Sequence, residues 1–112
     1  MPKIDNTYFG SIIIDGRKFN TDMIVCWDGE IRERAKSHVF DRRELEDLLM
    51  KDPEVVIVGT GQSGLVKIDS SAEIAAKMEG IDFIVAKSPH AVQEFNKLAR
   101  RKKAIAVIHV TC

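Results

Sequence analysis

Glu54-Val-Val-Ile-Val58, followed by Gly59-Thr-Gly-Gln-Ser-Gly64 and then Leu65-Val-Lys-Ile68, is the stretch on which the fold turns. Its glycines spell GxGxxG behind an apolar strand, the pattern of a dinucleotide-binding loop. In that fold the third glycine lies inside a helix that begins at once, so that the helix N-terminus faces the pyrophosphate. Here Gly64 leads into a strand-like run, and the nearest helix cap is Ser70. The carboxylate needed at the end of the next strand is also missing, because that strand ends in Ala86-Lys87-Ser88. No Gly-Lys-Ser/Thr follows the glycines, which excludes a Walker A loop. The stretch therefore reads as a covered central strand, a glycine turn and a second strand.

Outward from this centre the chain alternates. Toward the N-terminus, Asp15-Gly16 joins Ser11–Asp15 to Arg17–Asn20, and Asp28-Gly29 joins Met23–Trp27 to Glu30–Arg34. Asp-Gly between such runs predicts hairpins with type I′ turns, which need positive φ at both central residues. The charged Glu30–Arg34 run is expected at a solvent-facing edge. Asp41 and Glu44 form a capping-box pattern that opens a helix with Leu45, Leu48 and Leu49 inward and Pro53 at its end. Ser70 and Glu73 repeat the box for a second helix, with Ile74, Ala75 and Met78 inward and Gly80 as its terminal glycine. Asp82–Ala86 is a strand. Ser88 caps a third helix, with Pro89 in its first turn and Val92, Phe95, Leu98 and Ala99 on its apolar face. Ala104–Ile108 is a strand apolar on both faces. Hairpins first, then alternating strands and helices, predict an α/β fold with a mixed sheet.

The chain of 112 residues is the size of one domain, 1–112. It is 45% hydrophobic and 30% charged, with 17 basic residues against 17 acidic, a net charge of zero that argues against nucleic acid or an anionic membrane as partner. Arg100–Lys103 is the one dense basic patch, and it lies where cations favour a helix C-terminus. No apolar run approaches the ~20 residues that a bilayer crossing needs. The opening Met-Pro-Lys-Ile-Asp has no features of a targeting segment, so a cytoplasmic location is expected. Cys26 and Cys112 form no CxxC pair, and neither a disulfide nor a metal site is expected.

If the strands ending at Val58, Ala86 and Ile108 run parallel, their carboxyl ends gather Gly59, Thr60, Gly61, Gln62, Ser63, Gly64, Ser88, His109 and Cys112 at one edge. Open α/β sheets bind ligands beyond such ends, so these residues define a candidate anion or metabolite pocket. His109, flanked by apolar residues, also reads as a hydrogen-bonded strand histidine, and Cys112 as a small buried thiol. Trp27 is expected against the core, His90 in a helix first turn, and Asn96 bonded to a loop backbone. Asp41, Glu44, Ser70 and Glu73 read as caps, and no catalytic triad, cofactor motif or metal-ligand spacing is visible.

The C-terminal third carries a further signal. Ala91-Val-Gln-Glu-Phe95-Asn96-Lys-Leu98, followed by a strand and His109-Val-Thr111-Cys112, resembles the adipogenesis-associated Mth-type domain family. That family also includes a mitochondrial respiratory complex I assembly factor, and its prokaryotic members are mostly stand-alone domains. Trp27 and the Val-Gly-x-Gly loop at 58–61 also fit it. The resemblance implies a three-layer fold with a central mixed β-sheet, about three helices and an added β-hairpin, and it implies no enzyme activity or cofactor. The expected role is that of an uncharacterised conserved domain acting as a non-catalytic protein-interaction or assembly module. The alternative is a small-molecule or anion binder, or an unrecognised enzyme, using the Gly59–Gly64 edge. An exposed edge strand leaves both monomer and homodimer open.

Overall fold

The computed structural model describes residues 2–112. Its first strands are β1 (Ile4–Tyr8), β2 (Ser11–Ile14), β3 (Arg17–Phe19), β4 (Met23–Cys26), β5 (Ile31–Glu33) and β6 (Val39–Phe40). Helix α1 (Arg42–Leu49), β7 (Val55–Gly59), β8 (Lys67–Ile68) and α2 (Ser70–Met78) follow, then β9 (Asp82–Ala86), α3 (Ser88–Leu98) and β10 (Ala104–Ile108). The central sheet has the order β5-β4-β10-β7-β9, in which β10, β7 and β9 are parallel and β4 and β5 antiparallel. Strands β1 to β3 form a separate antiparallel sheet, and β6 and β8 a short parallel pair. No helix among the described residues is long and apolar enough to cross a membrane.

Alternation along the inner strands makes both faces of the sheet apolar. Val55, Ile57, Ala104, Ala106 and Ile108 face one core with Ile4, Ile12, Ile14, Ala91 and Phe95, so α3 and the N-terminal sheet cover that side. Val56, Val58, Ile105 and Val107 face the other core with Phe40, Leu45, Leu48, Ala72 and Ala76, where α1 and α2 lie. The result is three layers, with a mixed sheet between them and a hairpin sheet added at the N-terminus.

Several local expectations shift. The Asp15-Gly16 turn has positive φ at both residues, as type I′ requires, whereas at Asp28-Gly29 only the glycine does. Strand β1 carried no turn or alternation signal, and it is held in part by Asn96. Asp41 does cap α1 by accepting from the Glu44 amide, but the Glu44 carboxylate turns away to Arg34 instead of closing the box. The cap of α2 is Asp69, not Ser70, and its buried residues are Ala72 and Ala76. Ile74 and Met78 point outward, because the small alanines let α2 approach α1 and the sheet closely. Ser88 is the first residue of α3 and does not cap it; the capping position is Lys87, which makes no side-chain cap bond.

Candidate functional site

The carboxyl ends of β7, β9 and β10 lie side by side, with Gly59 paired to Ile108 and to Ala86. The glycine loop fills the space beyond them with its own contacts. The Gly61 amide donates to Ser88 Oγ at 2.9 Å, and Ser88 Oγ donates to the His109 carbonyl at 2.5 Å. The Gln62 amide donates to the Thr111 carbonyl, and the Ser63 and Leu65 amides both donate to the Cys112 carbonyl. Thr60 donates through its amide and its hydroxyl to the Ala86 carbonyl. These amides are taken by the chain itself, so the loop seats the residues that follow β10.

Two glycines are required by proximity. A Cβ on Gly59 would meet Ser88 Oγ at 2.9 Å, so glycine lets α3 start against β7. A Cβ on Gly61, which has φ of +108°, would meet the Cys112 carbonyl carbon at 2.3 Å. No helix begins at Gly64; α2 starts at Ser70, so the dinucleotide geometry is absent.

A buried polar row crosses the same end of the sheet. Met23 pairs with Ile108 and with Glu33, so one step further Asp22 lies between His109 and Arg34. Asp22 Oδ2 meets His109 Nδ1 at 2.7 Å and receives Arg34 Nη1 at 2.9 Å, while Oδ1 receives the Val110 amide at 3.0 Å. Arg34 also donates through Nε to Glu44 at 2.7 Å and through Nη2 at 2.9 Å. Burial pulls against the Arg34 charge, but the bonds to Glu44 and the Asp22 carboxylate outweigh it and raise the guanidinium above its ordinary range. The carboxylate already accepts from Arg34 and the Val110 amide and has no proton of its own to give, so His109 Nδ1 is the donor toward it. His109 Nε2 then faces the Thr111 hydroxyl at 3.1 Å.

Two further side chains approach this histidine. The exposed His38 ring stands edge-on to it, with centroids 5.2 Å apart and planes at 66°. One ligating atom from each of His38, His109 and the half-exposed Cys112 lies within 4.8 Å of the others. His109 is thus the hydrogen-bonded histidine that its apolar flanks suggest, and it also sits in a cluster of chemistry-bearing groups. Sequence reading missed Asp22, Arg34 and His38.

The other expected residues lie apart from this cluster. Asn96 binds the β1 backbone rather than a loop, accepting from the Ile4 amide at 2.9 Å and donating to the Ile4 carbonyl at 2.8 Å. Trp27 packs against both cores, with Lys51 Nζ 5.3 Å from its ring centre. His90 is exposed near Glu94. Burial pushes the Cys26 thiol up to about 11, which makes it a poor nucleophile. On the opposite layer, Leu49, Ile74, Ala75 and Met78 line a groove of about 220 Å³ between α1 and α2, rimmed by Arg42, Glu46 and Glu79.

The chain matches, over residues 4–109, a family described as "Protein of unknown function (DUF498/DUF598)". It is similar to the crystal structure of a conserved hypothetical protein from Pyrococcus horikoshii, with 30% identity, a TM-score of 0.89, and 98% of this chain and 99% of that one covered. A structure described as MT938 aligns over 100% of both chains with 28% identity and a TM-score of 0.84. A Mth938-like domain from Bordetella pertussis shares the fold with 14% identity and a TM-score of 0.64, over 96% of this chain and 85% of that one.

Proposed function

The chain belongs to the DUF498/DUF598 family of Mth-type domains, and we propose that it is a protein-docking module whose α1/α2 groove receives an amphipathic helix of a partner protein. The observation that carries the reading is the outward face of α2. Ile74 is 58% and Met78 83% exposed, one helical turn apart, and Met50 at the end of α1 is 85% exposed. Apolar side chains in a row beside a groove are the usual receptor for a helix laid on its apolar face. Methionine suits such surfaces because its flexible thioether adapts to different shapes. A groove of about 220 Å³ accepts one or two large side chains.

The rim says something about the occupant. Arg42 pairs with Glu46 at 3.2 Å, while Glu79 stands exposed at the rim. A partner helix with Leu or Phe on one face and a flanking Lys or Arg fits both features. The same proposal places the protein in the cytoplasm, and its two free cysteines suit a reducing compartment.

The test is crosslinking capture from its own cells with the full chain and with Ile74→Lys/Met78→Lys in parallel. A partner captured by the first and lost by the second, then bound by the purified chain with at least tenfold weaker affinity for the double variant, supports the groove. Undiminished binding by the folded double variant refutes it. Light scattering identifies the remaining occupant: a dimer that dissociates in the double variant means a second copy fills the groove.

A further inference from the structure

We propose that His38, His109 and Cys112 form a binding site for a divalent cation of the zinc class. The three residues come from different parts of the chain, yet one ligating atom of each lies within 4.8 Å of the others. Two imidazole nitrogens and one thiolate are a donor set that suits this borderline-soft ion.

The buried row prepares His109 for the role. Asp22 accepts its Nδ1–H at 2.7 Å and also binds Arg34 and the Val110 amide, so the ring is fixed in one tautomer. The lone pair of Nε2 is therefore presented on the far side, where Thr111 Oγ1 lies at 3.1 Å. A carboxylate holding the distal nitrogen of a ligating histidine is the usual support of a metal ligand. Arg34, itself held by Glu44, fixes the Asp22 carboxylate in place behind this histidine.

The other two ligands have fixed backbones and movable side chains. His38 is placed by its carbonyl, which accepts from Lys67 where β8 runs beside β6. Cys112 is placed by its carbonyl, which accepts from Ser63 and Leu65. Metal bonds of roughly 2.0–2.3 Å set tetrahedral ligand atoms roughly 3.5 Å apart. Rotation of the exposed His38 and half-exposed Cys112 side chains closes the present spread. Three protein ligands leave a fourth position, which water or the Thr111 hydroxyl completes. A Cys112–His109–Asp22 nucleophilic triad uses the same atoms, but it leaves His38 without a role, and the Ser63 and Leu65 amides already donate to the Cys112 carbonyl.

The experiment titrates the full, reduced chain with Co²⁺ as a spectroscopic probe and with Zn²⁺ against a chromophoric chelator. The expected result is one ion per chain, with tetrahedral visible bands and a thiolate-to-cobalt charge-transfer band. Cys112→Ser abolishes that band, His38→Ala weakens zinc by at least about tenfold, and His90→Ala on α3 changes neither. Cobalt binding without the thiolate band, or equal zinc affinity in wild type, His38→Ala and Cys112→Ser, overturns the proposal. The unmodified chain gives a second measurement. Zn²⁺ should slow alkylation of Cys112 followed by mass spectrometry, and labelling at an unchanged rate overturns the proposal even if a variant fails to fold.

Discussion

The carboxyl end of the sheet and the α1/α2 face treat their side chains in opposite ways. At the carboxyl end, Asp22, Arg34, Ser88 and His109 are all buried, and each polar atom named there meets another group of the chain. On the α1/α2 face, Ile74 and Met78 are apolar and meet water. A glycine motif with serines beside it looks like an open loop in one dimension, and in three its Gly61, Gln62, Ser63 and Leu65 amides all donate within the chain. A helix stripe that looks like core in one dimension is the surface with unused contact capacity. Residue type alone therefore misjudges which polar groups are partnered inside the chain and which apolar ones are exposed.

The sharpest way to break this contrast is to remove the centre of the polar row. Asp22→Ala leaves Arg34 with Glu44 as its one carboxylate partner beside the Ser37 and Val39 carbonyls, and deprives His109 Nδ1 and the Val110 amide of their acceptor. Orphaning a buried charge partner costs about 3–5 kcal/mol, a large part of the ~5–15 kcal/mol that holds a domain together. Urea unfolding is expected to show this loss. A change below about 1 kcal/mol would mean that the row contributes little, and that the carboxyl end is held by its apolar strands.

Gly61→Ala acts on the same region through shape. The added Cβ would stand 2.3 Å from the Cys112 carbonyl carbon at a φ of +108°. Strain of this kind costs on the order of 2 kcal/mol, and the C-terminal residues are expected to move away from the loop. Amide chemical shifts of Thr111 and Cys112 check the displacement, and the melting temperature checks the cost. An unchanged spectrum would show that the loop is not a seat for these residues.

The two thiols sharpen the comparison by pH. Burial raises Cys26 from an ordinary value of 9.0 to about 11, so the folded chain prefers the protonated thiol. The stabilisation from this group is complete below the unfolded value near 9.0 and is lost as pH rises through about 11. Unfolding measured from pH 8 to 11 should lose stability over that window, and Cys26→Ala should flatten the slope. At pH 8 a thiol reagent should modify half-exposed Cys112 first, and Cys26 only on unfolding.

These effects also mark what the sequence makes legible. Strands β7 and β10 are apolar at every position and could only be central, and both Asp-Gly pairs are hairpins in the structure. The polar row was hidden because Arg34 ends a run of charged edge residues and looks no different from Arg32. Only the cross-strand register, which sets Arg34, Asp22 and His109 in one line, separates the two. The available signal was positional: Asp22 stands just before one apolar strand and His109 just after another, and antiparallel pairing brings such ends together. On α2 the sequence favours the largest apolar residues as core, while packing against α1 selected the smallest, Ala72 and Ala76. Ser88 read as a cap because its place beside Pro89 suits one, and its hydroxyl is drawn instead to the His109 carbonyl.

The smallest expected stability effect is the most telling for the opposite layer. Met78 is 83% exposed, so Met78→Lys removes little packing and should change unfolding free energy by no more than about 0.5 kcal/mol. Lysine also falls in the last turn of α2, where a cation is favoured by the helix dipole, so a slight gain is as acceptable as a slight loss. If stability instead drops by about 2 kcal/mol, Met78 packs in solution as a core residue does, against another copy or a rearranged helix. Measuring the variant over a range of protein concentrations separates these two, because only pairing with a second copy makes the loss depend on concentration.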